Sequence, residues 1–110
     1  MQREVLRYLV DIQESIYSIY DYLGDKQDFS NYQSSKLLRR AVERELEIIG
    51  EAVNRILKID KTINISNSRR IVNLRNYVIH GYDKVDNVII WGIISRDLSK
   101  LKEQIDNLIN

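Results

Sequence analysis

The sequence predicts an all-α protein, an antiparallel four-helix bundle, and three observations carry that prediction. Apolar residues recur at steps of three and four through most of the chain. Short polar breaks containing Gly, Asn, Asp or Ser separate the periodic stretches. No strand–turn–strand pattern, internal repeat or proline interrupts them. At 110 residues the chain is read as one domain, 1–110.

In the first helix Val5, Leu9, Ile12, Ile16, Ile19 and Leu23 form one stripe, and Gly24 ends it. Tyr8, Tyr20 and Tyr22 flank that stripe, where a ring with a polar tip suits a half-buried position. Asp25 to Tyr32 is polar apart from Phe29 and reads as a loop.

Ser34 or Ser35 caps the second helix, since a side-chain oxygen can accept from an unpaired N–H of the first turn. This helix is read as roughly 25 residues and about 37 Å long. Leu38, Ala41, Glu45, Ile48, Ala52 and Ile59 trace a heptad-like face with Glu45 as its polar intruder. Glu43, Glu47, Glu51 and Arg55 form its expected solvent stripe, beside Lys36, Arg40 and Arg44. Pairs such as Arg40–Glu43 and Arg44–Glu47 offset the like charges within each stripe.

Asn64 to Ser68 is a second loop, with Ser66 or Ser68 as a cap. The third helix runs from Arg69 to His80 with Ile71, Leu74 and Val78 inward and Gly81 just past its end. After a turn at Asp83 to Asp86, a fourth helix spans Asn87 to Leu108, with Trp91, Ile94, Leu98, Leu101, Ile105 and Leu108 on one face. Val88 to Ile90 has β character but sits inside that longer helical period. Leu6, Leu37, Val72, Ile79, Ile89 and Ile109 fall off the main stripes, which leaves a face for a second subunit and points to a homodimer.

Composition narrows the function. The chain is 44% apolar and 30% charged with a net charge of +1, a soluble-globular balance without long-range steering toward nucleic acid. With no Cys there is no disulfide, thiolate metal site or cysteine nucleophile. A single His leaves no His-rich metal site within one chain. The opening Met1-Gln2-Arg3-Glu4 is unlike a secretory leader, and no apolar run approaches the roughly 20 residues of a membrane span. A cytoplasmic protein without membrane attachment is expected.

The one His closes the segment Arg75-Asn76-Tyr77-Val78-Ile79-His80-Gly81-Tyr82. Asn76 and His80 are four apart and share a helix face, whereas Arg75 lies about 140° round from His80. Two copies of this helix facing each other across a two-fold axis bring such groups into one cleft. The residue types suit phosphodiester cleavage: an imidazole titrates near neutrality, a guanidinium stabilises charge on phosphorus, and Asn76 orients either. RNA brings its own 2′-hydroxyl as nucleophile, so neither metal nor cofactor is required. The same residues also fit a plainer role, in which His80 complements a helix C-terminus and Arg75 bridges to Asp83 or Asp86.

The Arg75 to Tyr82 segment resembles the Arg-x4-His-x-Tyr signature of the HepT-like proteins, a branch of the HEPN superfamily. The stretch Arg40 to Ala52 is similar to that family's long helix, and Trp91 with the Leu98 to Ile105 tail is similar to its fourth. The resemblance implies a dimeric HEPN-like bundle with Arg75, Asn76 and His80 of both protomers lining a central cleft. It implies the toxin of a type VII toxin–antitoxin system, a metal-independent endoribonuclease acting on RNA, tRNA included. It implies as partner a minimal nucleotidyltransferase of the MntA type, which silences the toxin by transferring AMP to the tyrosine matching Tyr82. Arg69 and Arg70 add positive charge ahead of the signature, as RNA contacts or as solvated residues. The lead-in Ser66 to Leu74 is more polar than the family's Trp-containing one, and the Glu43–Glu47–Glu51 stripe has no assigned role. The alternative functions are a non-catalytic nucleotide- or partner-binding module and a structural helical adaptor.

Overall fold

A computed structural model describes residues 2–25, 27–66, 69–73 and 87–110. Among these the protein is all-α, without strands. Helix α1 spans Arg3–Leu23, α2 Phe29–Ser34 and α3 Lys36–Ile59. Residues 69–73 are helical. A C-terminal helix follows in three parts: α4 at Asn87–Gly92, a π-helical turn at Ile93–Asp97, and α5 at Leu98–Ile109. The strict four-helix count therefore does not hold, because α2 is a helix of its own where a loop is expected. The stretch Val88 to Ile90 is helical.

All six stripe residues of α1, Val5 to Leu23, are buried. The chain leaves α1 at Gly24, whose φ of 63° and ψ of −155° suit glycine, and whose N–H donates to the Tyr20 carbonyl at 3.0 Å. Contacts along α1 run in opposite order to those along its neighbours. Tyr22 Oη donates to Glu45 Oε2 at 2.8 Å, while Tyr8 sits beside Glu51 and Ala52. Gln13 donates to Asp106 at 2.9 Å, and Lys102 lies 5.4 Å from the Tyr17 ring centre. Helices α3 and α5 are thus both antiparallel to α1.

Helix α2 exists because Asp28 caps it, accepting from the Asn31 N–H at 2.7 Å, and because its aromatics have somewhere to go. Tyr32 is completely buried, and Phe29 packs against the core from its edge. Ser35 then caps α3 by accepting from the Leu38 N–H at 3.1 Å, the second of the two expected caps.

The expected face of α3 is corrected by one residue. The buried side chains are Val42, Leu46, Ile49, Val53 and Ile56, with Ala52 alone retained from the heptad-like set. Leu38, Ala41, Glu45, Ile48 and Ile59 are half-buried. Two four–three stripes overlap in this helix, and rotation by one residue, about 100°, selects the one that is wholly aliphatic. That rotation also carries Glu43 off the expected solvent stripe and into the interior, at 6% exposure. Its carboxylate keeps an ion pair with Arg40 at 3.2 Å, and Arg44 pairs with Glu47 at 3.5 Å as expected.

In the C-terminal helix Ile94, Leu98, Leu101 and Ile105 are buried as expected, together with Ile90 and Ile93. Trp91 and Leu108 are half-buried. Ile90, Ile94 and Leu98 are spaced four and four, which drifts about 40° per step on a regular helix. The wider π-turn absorbs that drift, marked by the Leu98 N–H bonding to the Ile93 carbonyl. Side chains satisfy the carbonyls nearby: Ser95 Oγ donates to the Trp91 carbonyl at 2.8 Å, and Arg96 Nε to that of Gly92 at 3.4 Å.

Gly24→Ala meets no steric neighbour, so its cost is backbone strain alone, about 1–3 kcal/mol in urea unfolding. The Asp106 carboxyl is held below its ordinary value of 3.8 by hydrogen bonds from Lys102 and Gln13. A depressed carboxyl stabilises the fold above its unfolded value and loses that contribution as pH falls through the folded one. The stability gap between wild type and Asp106→Asn should accordingly be full at neutral pH and close below pH 3.8.

Candidate active site

The signature residues Arg75, Asn76, His80 and Tyr82 lie outside the described residues, and the scaffold on either side of them is what the structure defines. Just ahead of the lead-in, Ile65 is 3% exposed and belongs to the core. Ser66 next makes a reciprocal pair with α5: its N–H donates to Gln104 Oε1 at 2.9 Å, and Gln104 Nε2 donates to Ser66 Oγ at 3.0 Å. Ser66 is thereby a fastening to α5, and Ser68 lies outside the described residues.

Arg69 and Arg70 open the helical residues 69–73, and both are exposed. Their environments differ. Arg70 Nη1 lies 3.3 Å from Asp97 Oδ2, an ion pair whose alignment falls short of a hydrogen bond. The Asp97 side chain is only 17% exposed. Between this pair and the Ser66–Gln104 fastening lies a cavity of about 250 Å³ lined by Ile71, Asp97, Lys100, Gln104 and Asn107 among others.

Beyond the signature, the chain is held again where α4 begins. Trp91 meets Phe29 edge-on at 6.1 Å between ring centres and Tyr32 at 5.6 Å in a tilted arrangement. Burial pushes the Tyr32 hydroxyl well above the usual phenol range, and the nearby Glu43 carboxylate adds to the shift. This hydroxyl has no hydrogen-bond partner among the described residues. The aromatic triplet seats the start of α4 against α2, as the Arg70 and Ser66 contacts seat residues 66–70 on the C-terminal helix.

Sequence reasoning did not find Asp97, Gln104 or Tyr32. The first two act through partners 27 and 38 positions away, beyond the reach of any local pattern. Tyr32 did leave a signal: Asp28 ahead of Phe29 and Tyr32 is a cap followed by two aromatics three apart. Among the described residues no three His, Cys, Asp or Glu side chains gather as metal ligands, and no helix is long and apolar enough to cross a membrane.

An all-α scaffold whose sequence carries an Arg-x4-His-x-Tyr segment is the pattern of the HepT-like proteins. The chain belongs to the ribonuclease HepT-like family, whose model matches residues 6–108. It is similar to "Putative RNase MJ1380" of Methanocaldococcus jannaschii, 35% identical over 107 residues and covering 96% of both chains. It is also similar to "Probable ribonuclease HepT" of Thermococcus cleftensis, 32% identical over 109 residues and covering 98% of both chains. A third relative, "Gamma-glutamylcyclotransferase and putative RNase MJ0434" of M. jannaschii, is 35% identical over 106 residues, which are 96% of this chain and 47% of that one. No solved structure gives a significant match.

The two arginines separate experimentally. Arg70→Ala leaves the half-sunken Asp97 carboxylate without its cation and should cost about 1–3 kcal/mol. Arg69→Ala should stay within about 0.5 kcal/mol of wild type. Urea denaturation of the two variants side by side checks the contrast.

Proposed function

We propose that this chain is the toxin of a type VII toxin–antitoxin pair, a metal-independent endoribonuclease whose catalytic group is Arg75, Asn76 and His80. The observation that carries this reading is the signature Arg75 to Tyr82 lying inside a family match that runs across nearly the whole chain.

In the proposed reaction the 2′-hydroxyl of RNA attacks its neighbouring phosphorus, forming a 2′–O–P bond and breaking the P–O bond to the 5′-oxygen. A neutral His80 takes the proton of the 2′-hydroxyl. Arg75 places its guanidinium against the non-bridging oxygens as negative charge builds on them. Asn76, four residues before His80, orients the imidazole. The 5′-oxygen needs a proton as it leaves, and a chain with one His obtains a second imidazole only from another copy. A homodimer of HEPN-like helical protomers, its two signatures facing across the axis, supplies both the base and the acid. The off-stripe apolar residues support dimerisation: Leu6, Leu37 and Ile89 are exposed, and Val72 and Ile109 are half-buried. Ile79 lies outside the described residues. Arg69 is the better placed of the two lead-in arginines for an RNA phosphate, since Arg70 is engaged with Asp97.

The proposed partner is a minimal nucleotidyltransferase of the MntA type that transfers AMP to Tyr82. The tyrosine oxygen attacks the α-phosphorus of ATP, and pyrophosphate leaves. The bulk and negative charge of the adenylyl group, two residues past His80, then oppose entry of an RNA phosphate.

The deciding experiment is cleavage of a mixed RNA pool containing tRNA, in the presence of a chelator, by protein that intact mass shows to be free of AMP. Wild type should cut, leaving 2′,3′-cyclic phosphate ends, and His80→Ala should lose about 10²–10⁴ in rate. Equal cutting by both proteins, or none by unmodified wild type, would sink the catalytic assignment in favour of a nucleotide- or partner-binding module.

A further inference from the structure

The lead-in to the signature touches the C-terminal helix at two places, and their spacing is regular. Ser66 and Arg70 are four residues apart, while their partners Gln104 and Asp97 are seven apart, about 10.5 Å or two turns along one helix face. Two points fix a direction where one would leave a pivot. Asp97 is the last residue of the π-turn, with Ile94 at 4% and Leu98 at 2% exposure on either side of it in the helix. A mostly buried carboxylate is a poor device for stability alone, because an apolar pair of similar volume holds two helices at least as well. What an ion pair adds is a preferred register.

We infer that Asp97 is a positioning residue for RNA cleavage: through Arg70 it sets the register from which Arg75 and His80 are presented. The inference rests on the catalytic reading of the signature given above. Arg75 follows Arg70 by only five residues in the sequence, so Arg70 is the nearest ion-paired anchor to the signature along the chain. The π-turn serves the same end, since the extra residue it accommodates lets Ile94 and Leu98 both face the core while Asp97 meets Arg70.

The test compares Asp97→Asn, which keeps side-chain volume, with Arg70→Gln, which alters an exposed side chain and leaves the core alone, and with the double variant. Steady-state cleavage of RNA and the NMR titration of His80 are read on each. The chain has one His, so one imidazole resonance reports on the site without assignment. In both single variants kcat should fall about 10–100-fold with KM within about twofold, the scale of a misplaced catalytic group. The His80 resonance should move the same way in both, and the double variant should be no worse than either single one. Asp97→Glu should recover part of the rate. A rise in KM with kcat kept would make Arg70 an RNA contact and overturn the positioning role, as would an unmoved His80 resonance in a folded variant. If unmodified wild type cuts no RNA, the catalytic reading fails by itself. The His80 resonance then decides whether Asp97 governs the placement of the signature.

Discussion

Helix α1 is buried from two sides at once, and the rest of the structure depends on that constraint. Its six stripe residues are each less than 8% exposed, with α3 on one flank and α5 on the other. A helix of 21 residues packed by two antiparallel neighbours leaves each neighbour little freedom to rotate. The phase of α3 and the broken course of the C-terminal helix both answer to it. The first turns by one residue to offer an unbroken aliphatic row. The second adopts a π-turn so that residues before and after Gly92 can both reach the same core.

The charged groups follow from these choices. Turning α3 to satisfy α1 draws Glu43 inward, beside Tyr32 and at the rim of the aromatic cluster. Arg40 answers it from the surface, with its own side chain 67% exposed. On the opposite flank Asp97 is drawn in by the π-turn and is answered by Arg70. Each carboxylate is a consequence of core packing, and each is met by an arginine that can keep most of its guanidinium in water.

Much of this was legible in the sequence, and the exceptions have physical causes. The stripe of α1 was readable because Val, Leu and Ile occupy every inward position and polar residues fill the rest. Helix α3 was readable as a helix but not in phase, since adjacent stripes were both largely apolar and only the packing against α1 chooses between them. Helix α2 was missed because six residues are too few for periodicity, and its local signs were the cap at Asp28 and the two aromatics that follow it. The signature stood out through residue type, a lone His with Arg, Asn and Tyr at family spacing. Its supports did not, because Ser66–Gln104 and Arg70–Asp97 are pairings across the fold that no window of neighbouring residues contains.

Trp91 is the chain's sole indole, and it stands four residues after Asn87, the first residue of α4. Its ring rests on Phe29 and Tyr32, so its surroundings are set by α2 as much as by its own helix. An indole in that position is a built-in optical gauge. Its emission registers whether α2 and the C-terminal helix are docked, without any label added to the protein.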